Sequence, residues 1–297
     1  MIVLLHGTKI NKKVHEQIVN FIDELQNNNF KILCTSSFYN NLNNLLTTHN
    51  KKNITSISNI DDYGQSIDYL FCFGGDGTIL SAATIIQDKN IPIVGINTGR
   101  LGFLATISKH ELPNLINNLK NKHYKLSARS LLQINSNDTI IDTPFALNEI
   151  SVSSKEKISM INIKVLLNNE YLNTYWADGL IVSTPTGSTG YSLSCGGPIV
   201  MPESNNLIIT PIAPHNLNVR PLIISDDNVI TIEILDNNSR KFLLSMDSRN
   251  QYIKNSTRIT LKKAPYTIKL VEIDSINYSK TLREKLLWGL DRRNHEL

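Results

Sequence analysis

Where an apolar run, Ile67 to Phe73, gives way to a helical pattern, the chain reads GGDGT, Gly74 to Thr78. Adjacent glycines let a backbone turn tightly and approach a ligand, because no Cβ stands in the way and φ above zero costs little. Bare N–H groups there, with the N-terminus of the following helix, make a seat for phosphate oxygens. Asp76, in the middle, would repel the anion that Gly74, Gly75 and Gly77 attract. A carboxylate beside phosphates makes sense if it takes the proton of an attacking hydroxyl or holds a divalent cation, and both roles belong to phosphoryl transfer. The plainer alternative is a helix cap, since Asp is a favoured N-cap residue. GGDGT matches neither the Walker A pattern nor GxGxxG, so neither mechanism is borrowed.

INTGRLGFL, Ile96 to Leu104, is a second glycine-bearing turn, after the apolar run Ile91 to Ile96. Two strands ending in such turns would place both on the carboxyl edge of a parallel sheet, where open α/β folds bind ligands. Phe103 is there either as core or as a platform for a base. The segment DGLIVSTPTGSTGYSLSCGGPIV, Asp178 to Val200, is dense in hydroxyls and glycines, including Thr189, Gly190, Ser192 and Ser194. That density suits a ligand rich in sugar and phosphate, with Asp178 free to bond an amide or ribose; a tight loop before a short helix explains it equally well. Asn148 and Glu149 interrupt the apolar run ALNEI as a bulge, a turn or a site, and Asp247 in SMDSRN is a further polar candidate. His215 in APHNL reads as structural or surface. Gly187-Ser188-Thr189-Gly190 lacks the spacing of a hydrolase nucleophile elbow.

These turns need elements to hold them. Up to about residue 125, strand-like runs (Ile2 to Leu5, Lys31 to Thr35, Ile67 to Phe73, Ile91 to Ile96) alternate with helical faces. Val14, Ile18, Phe21, Ile22 and Leu25 mark one face, Phe38 to Leu46 a weaker helix, and Leu112, Leu115, Ile116 and Leu119 another, with a helix starting near Gly77 between them. From about Leu126 short apolar runs between Asn, Asp, Ser, Gly and Pro take over, including Ile158 to Leu167, Leu180 to Ser183, Leu207 to Ile212, Arg258 to Leu261 and Thr267 to Ile273. The expected organisation is an α/β domain over 1–125 and a β-rich domain over 126–274. A helical tail with Leu282, Leu286 and Leu290 four apart, within 275–297, is expected to pack back on the first domain.

Across 297 residues, 30 Lys and Arg against 26 Asp and Glu give a net charge of +4, without a basic cluster to suggest nucleic acid. Three scattered cysteines point to a reducing compartment rather than a disulfide frame or zinc site. MIVLLHG at the start reads as a strand rather than a signal peptide. No run reaches the ~20 apolar residues of a spanning helix. A cytoplasmic protein without membrane contact is expected.

In the order GGDGT, INTGRLGFL, ALNEI, DGLIVSTPTGSTGYSLSCGGP and APHNLNVRPLII, the chain resembles the NAD kinases, which phosphorylate the adenosine 2′-hydroxyl of NAD. The resemblance implies a Rossmann-like N-terminal α/β domain, a C-terminal β-sandwich domain, ATP and NAD as substrates, a divalent cation such as Mg²⁺, and a homodimer or homotetramer. It implies that Asp76 is the general base and that Gly74, Gly75 and Gly77 form the phosphate turn. Asn148 and Glu149 match the pair contacting the ribose or adenine end, Asp178 a residue on the nicotinamide side, and Phe103 an aromatic near the adenine. Thr189, Gly190, Tyr191, Ser192, Leu193 and Ser194 match the lining of the nucleotide pocket. Many relatives carry alanine in place of Gly190 and Cys195, and Trp176 and Arg249 stand where other residues are usual. The alternatives are a lipid or sugar kinase sharing the GGDGT turn, or a non-catalytic dinucleotide sensor.

Overall fold

A computed structural model describes residues 1–287 other than 9, 11, 44, 47–50, 52, 100–101, 155–159, 236–240, 256 and 274–277. The chain divides into two compact units, Met1–Ser127 with Ile268–Leu297, and Ala128–Thr267.

The first unit is built on a parallel sheet. Its elements are β1 (Ile2–Gly7), α1 (His15–Asn27), β2 (Lys31–Thr35), α2 (Ser36–Leu42), β3 (Ile54–Ile57), β4 (Tyr69–Gly74), α3 (Asp76–Ile86), β5 (Ile93–Asn97) and α4 (Leu112–Lys120). The strands lie in the order β5-β4-β1-β2-β3, and every neighbour is parallel. β4 and β5 are buried along their whole length, which is why they read as continuous apolar runs rather than alternating ones. The face predicted for α1 is the one it buries, through Ile18, Phe21, Ile22 and Leu25. Phe21 meets Phe71 of β4 edge-on at 5.5 Å. Each such side chain contributes roughly 1.5–3 kcal/mol on burial. Helix α2 stops at Leu42, short of the expected Leu46; Asn40, Asn41 and Asn43 favour turns over helix interior.

The second unit holds two groups of antiparallel strands. One sheet runs β13 (Leu222–Ser225), β12 (Asn206–Ile212), β11 (Gly179–Ser183), β8 (Glu149–Ser154), β15 (Lys241–Met246) and β16 (Arg249–Lys254). The other joins β10 (Glu170–Ala177), β9 (Ile161–Leu167), β14 (Ile230–Ile234) and β17 (Arg258–Glu272). Ile150, Val152, Val182 and Leu244 of the first sheet and Ile163, Val165, Ile232 and Ile259 of the second form a single apolar core, as the facing layers of a β-sandwich do. Asn168 and Asn169, both at positive φ, make the tight turn between β9 and β10. The two strands expected around Pro265 are one, β17, whose part up to Thr267 belongs to this unit and whose end belongs to the first. Proline costs an extended strand one N–H donor, and its fixed φ is compatible with the pleat. Leu270 then pairs with Ile93 of β5.

The last described helix, α6 (Tyr278–Leu286), belongs to the first unit and buries Thr281 and Leu282; Leu290 lies outside the described residues. No helix among the described residues is long and apolar enough to cross a membrane.

Candidate active site

Gly74 stands opposite Asn97 in the β4–β5 register, so both glycine turns leave the same sheet edge. Gly75 caps α3 and Asp76 is its first residue. Gly75 and Gly77 are exposed and Gly74 is buried. A Cβ on Gly74 would overlap the Thr78 hydroxyl, so this turn closes only on glycine.

Asp76 makes no capping bond to its own helix. Its Oδ2 accepts from the Phe103 N–H at 2.9 Å, and its Oδ1 accepts from the N–H groups of Leu104 and Ala105 at 2.9 and 3.1 Å. The carboxylate therefore fastens the first glycine turn to the second. Asn97 braces the same loop, donating to the Ala105 carbonyl at 3.1 Å and accepting from the Gly99 N–H at 2.8 Å. A Cβ on Gly102 would overlap Asp76 Oδ1, which accounts for the second glycine of GRLGFL. From α6, the Lys285 ammonium lies 3.6 Å from Asp76 Oδ2 and 4.9 Å from the centre of the Phe103 ring. Phe103 is 7% exposed, with Tyr278 of α6 packed against it at 6.1 Å.

In the second unit, Asn148 precedes β8 and Glu149 opens it, with Ser183 of β11 opposite Glu149 and Met246 of β15 opposite Ile150. Asp247 follows β15 at φ 52°. Its side chain is 3% exposed and gathers three consecutive N–H groups: Leu147 at 2.9 Å, Asn148 at 2.8 Å and Glu149 at 3.2 Å. Burial pushes the Asp247 carboxyl up, and those N–H groups, with Arg249 beside it, pull it back. Arg249 itself donates to the carbonyls of Thr143 and Phe145. Thus the aspartate of SMDSRN, without a role in the sequence reading, fixes the backbone of the candidate ribose pair.

The small-residue loop is stitched to that backbone. Thr184 donates its hydroxyl to the Leu147 carbonyl at 2.6 Å and its N–H to the Asn148 carbonyl at 2.9 Å. A Cβ on Gly187 would overlap that Asn148 carbonyl, and one on Gly190 would stand 2.7 Å from Glu149 Oε2. Asn148 Oδ1, Ser183 Oγ and Thr186 Oγ1 are buried and lack hydrogen-bond partners among the described residues. An unsatisfied buried polar atom costs ~1–3 kcal/mol. Glu149 accepts from the Tyr191 N–H at 3.4 Å. Burial first, then the charge of Asp247, pushes its carboxyl up to about 7 against that N–H. Thr189 and Leu193 are half-buried, and Tyr191 and Ser194 are exposed. Ser192 is buried, its hydroxyl hydrogen-bonded to that of Thr210 at 2.8 Å. Asp178 is exposed, its carbonyl accepting from the Ser154 N–H at 3.1 Å. His215 is exposed and lies against Trp176, the ring centres 4.1 Å apart and the planes tilted by 37°.

Residues 1–124 match the ATP-NAD kinase N-terminal domain, and residues 147–273 match the ATP-NAD kinase C-terminal domain. The chain belongs to the NAD kinase family. Within that family, a protein of Christiangramia forsetii named NAD kinase is 46% identical over 98% of this chain and 99% of its own. One of Cytophaga hutchinsonii, also named NAD kinase, is 46% identical over 99% of this chain and 100% of its own. The structure of yeast NADH kinase complexed with NADH superposes with a TM-score of 0.87 at 23% identity, covering 100% of this chain and 90% of that one. An NAD kinase from Archaeoglobus fulgidus in complex with ATP gives 0.69 at 22% identity, covering 96% and 97%. At these identities the two solved structures establish the NAD kinase fold. Gly102 and Lys285 both lie against Asp76 without having been singled out in the sequence. Gly102 falls inside INTGRLGFL, whereas Lys285 carries no local signal.

Proposed function

We propose that this chain transfers the γ-phosphoryl group of ATP to the 2′-hydroxyl of the adenosine ribose of NAD, giving NADP and ADP. The observation that carries this reading is the Asp76 carboxylate, held by three backbone N–H groups at the head of a glycine turn that suits phosphates. Asp76 takes the hydroxyl proton, and Gly74, Gly75 and Gly77 receive phosphate oxygens with the positive end of α3. Asn148 and Glu149 serve the ribose and adenine end, Asp178 the nicotinamide side, and Thr189 to Ser194 the pocket wall, with Phe103 near the adenine. Positioning and electrostatics supply most of the acceleration, since an ordinary carboxylate is a weak base toward an alcohol. The described residues contain no group of three or more His, Cys, Asp or Glu suited to hold a metal. In this reading Mg²⁺ arrives on the donor's phosphates as part of the substrate, which suits an ion that keeps much of its water. We further take the enzyme to be cytoplasmic and a homodimer or homotetramer; light scattering after size exclusion reads the assembly. An assay of NADP formation, with diacylglycerol and fructose 6-phosphate as competing acceptors, tests the substrate assignment. Transfer to either competitor but not to NAD would contradict it.

Gly102→Ala forces Asp76 off its N–H partners. Turnover is expected to fall about 10²-fold, the scale of an ångström's misplacement in a reacting group. Steady-state kinetics at saturating NAD and ATP check this, and unchanged kcat would mean that the tether does not position Asp76.

The raised Glu149 carboxyl makes a pH prediction. The folded protein binds this proton more tightly than the unfolded chain, so stability from this group is full below 4.5 and lost as pH rises to about 7. Glu149→Gln should therefore match the wild type's melting temperature near pH 4.5 and exceed it near pH 8. The KM for NAD should also lose an inflection near pH 7. Parallel melting curves across that range would remove the assigned cause.

A further inference from the structure

Asp76 has room for about four hydrogen-bond donors, two on each oxygen. Leu104 and Ala105 fill Oδ1, and Phe103 takes one place on Oδ2. The place left on Oδ2 is faced by the Lys285 ammonium, at 3.6 Å, beyond a close charged hydrogen bond. A substrate hydroxyl that gives its proton to Asp76 needs that same place. Lys285 is not locked there: its side chain is 33% exposed, and its remaining described contact at the site is the Phe103 ring, 4.9 Å from the ammonium. The GGDGT turn itself carries no cation, unlike a P-loop with its lysine.

We propose that Lys285 is a catalytic residue of the phosphoryl transfer, shared between Asp76 and the donor. With no donor bound, its ammonium sits against Asp76 Oδ2. When ATP enters the turn, the ammonium moves to the phosphate oxygens and clears Oδ2 for the ribose hydroxyl. The bond between the γ-phosphorus and the β,γ-bridging oxygen then breaks as the ribose 2′-oxygen bonds to phosphorus. The hydroxyl proton passes to Asp76, and the negative charge left on the ADP oxygen faces Lys285. The inference rests on the reading of Asp76 and the glycine turn given above.

Lys285→Met tests it, because the methionine keeps most of the side chain's length while removing the charge. Tripolyphosphate binding in the absence of NAD, measured by calorimetry, should weaken about 10- to 100-fold, the worth of one hydrogen bond to a charged group. kcat should fall as well, and Lys285→Arg should recover part of both. Tripolyphosphate affinity and kcat within threefold of wild type would overturn the proposal, as would a faster Lys285→Met enzyme, which would make the lysine a mere block. A lower melting temperature with both quantities intact would assign Lys285 to packing alone and equally overturn it. Asp76→Asn belongs in the same series: if it alone stays active, the reading of Asp76 fails, while the tripolyphosphate result still decides the role of Lys285.

Discussion

Asp76→Asn is expected to lower kcat for NADP formation by about 10²–10⁴-fold, the usual contribution of a positioned general base. The amide cannot accept the hydroxyl proton as the carboxylate does. Its oxygen can keep the Leu104 and Ala105 N–H groups, but its nitrogen then faces the Phe103 N–H, donor against donor. A loss of ~1–3 kcal/mol in stability should accompany the kinetic effect. NAD affinity should hold, because Asn148 and Glu149 are fixed by Asp247 and not by Asp76. Calorimetric NAD binding and a melting curve on the same preparation separate lost chemistry from lost fold. Turnover within a few fold of wild type would reduce Asp76 to a tether of the Phe103 loop.

The second large effect is on stability. Asp247→Ala deletes a nearly inaccessible carboxylate and strands three N–H groups, while Arg249 keeps its bonds to the Thr143 and Phe145 carbonyls. Leaving buried donors unsatisfied costs ~1–3 kcal/mol each, so a loss of a few kcal/mol is expected. Urea unfolding should show an earlier midpoint with little change in slope. The KM for NAD should rise too, because the backbone presenting Asn148 and Glu149 is no longer gathered. Asp247→Asn, which keeps one acceptor, should fall between the two. A midpoint unmoved by Asp247→Ala would show that water replaces the carboxylate at no cost.

Local pattern carried the reading of the sequence a long way. The α1 face was legible because Ile18, Phe21, Ile22 and Leu25 repeat at helical spacing. The glycine turn was legible because Gly74 and Gly75 follow the run Tyr69 to Phe73, which is continuous in the way buried parallel strands require. Contacts across the chain were not legible. The donors to Asp76 lie 27 to 29 residues away, and those to Asp247 lie 98 to 100 away, so neither tether leaves a mark at its aspartate. Helix capping remained open for Asp76 on residue type alone, and only the direction of its carboxylate decides against it. Phe103 shows the same limit: its residue type allows core or platform, and the packing of Tyr278 and Lys285 against it comes from a helix more than 170 residues later. The runs Arg258 to Leu261 and Thr267 to Ile273 read as two strands, yet β17 continues from one into the other through Pro265.

The central claim is that one carboxylate at a glycine turn directs a phosphoryl group to a particular ribose oxygen. The direct measurement is phosphorus NMR of the products formed from NAD, ATP and Mg²⁺ by the wild type and by Asp76→Asn. One new monoester resonance is expected, on the adenosine 2′-oxygen, growing in step with ADP in the wild type and nearly absent in the variant. ADP and inorganic phosphate without that ester, or an ester that forms equally fast in Asp76→Asn, would contradict it.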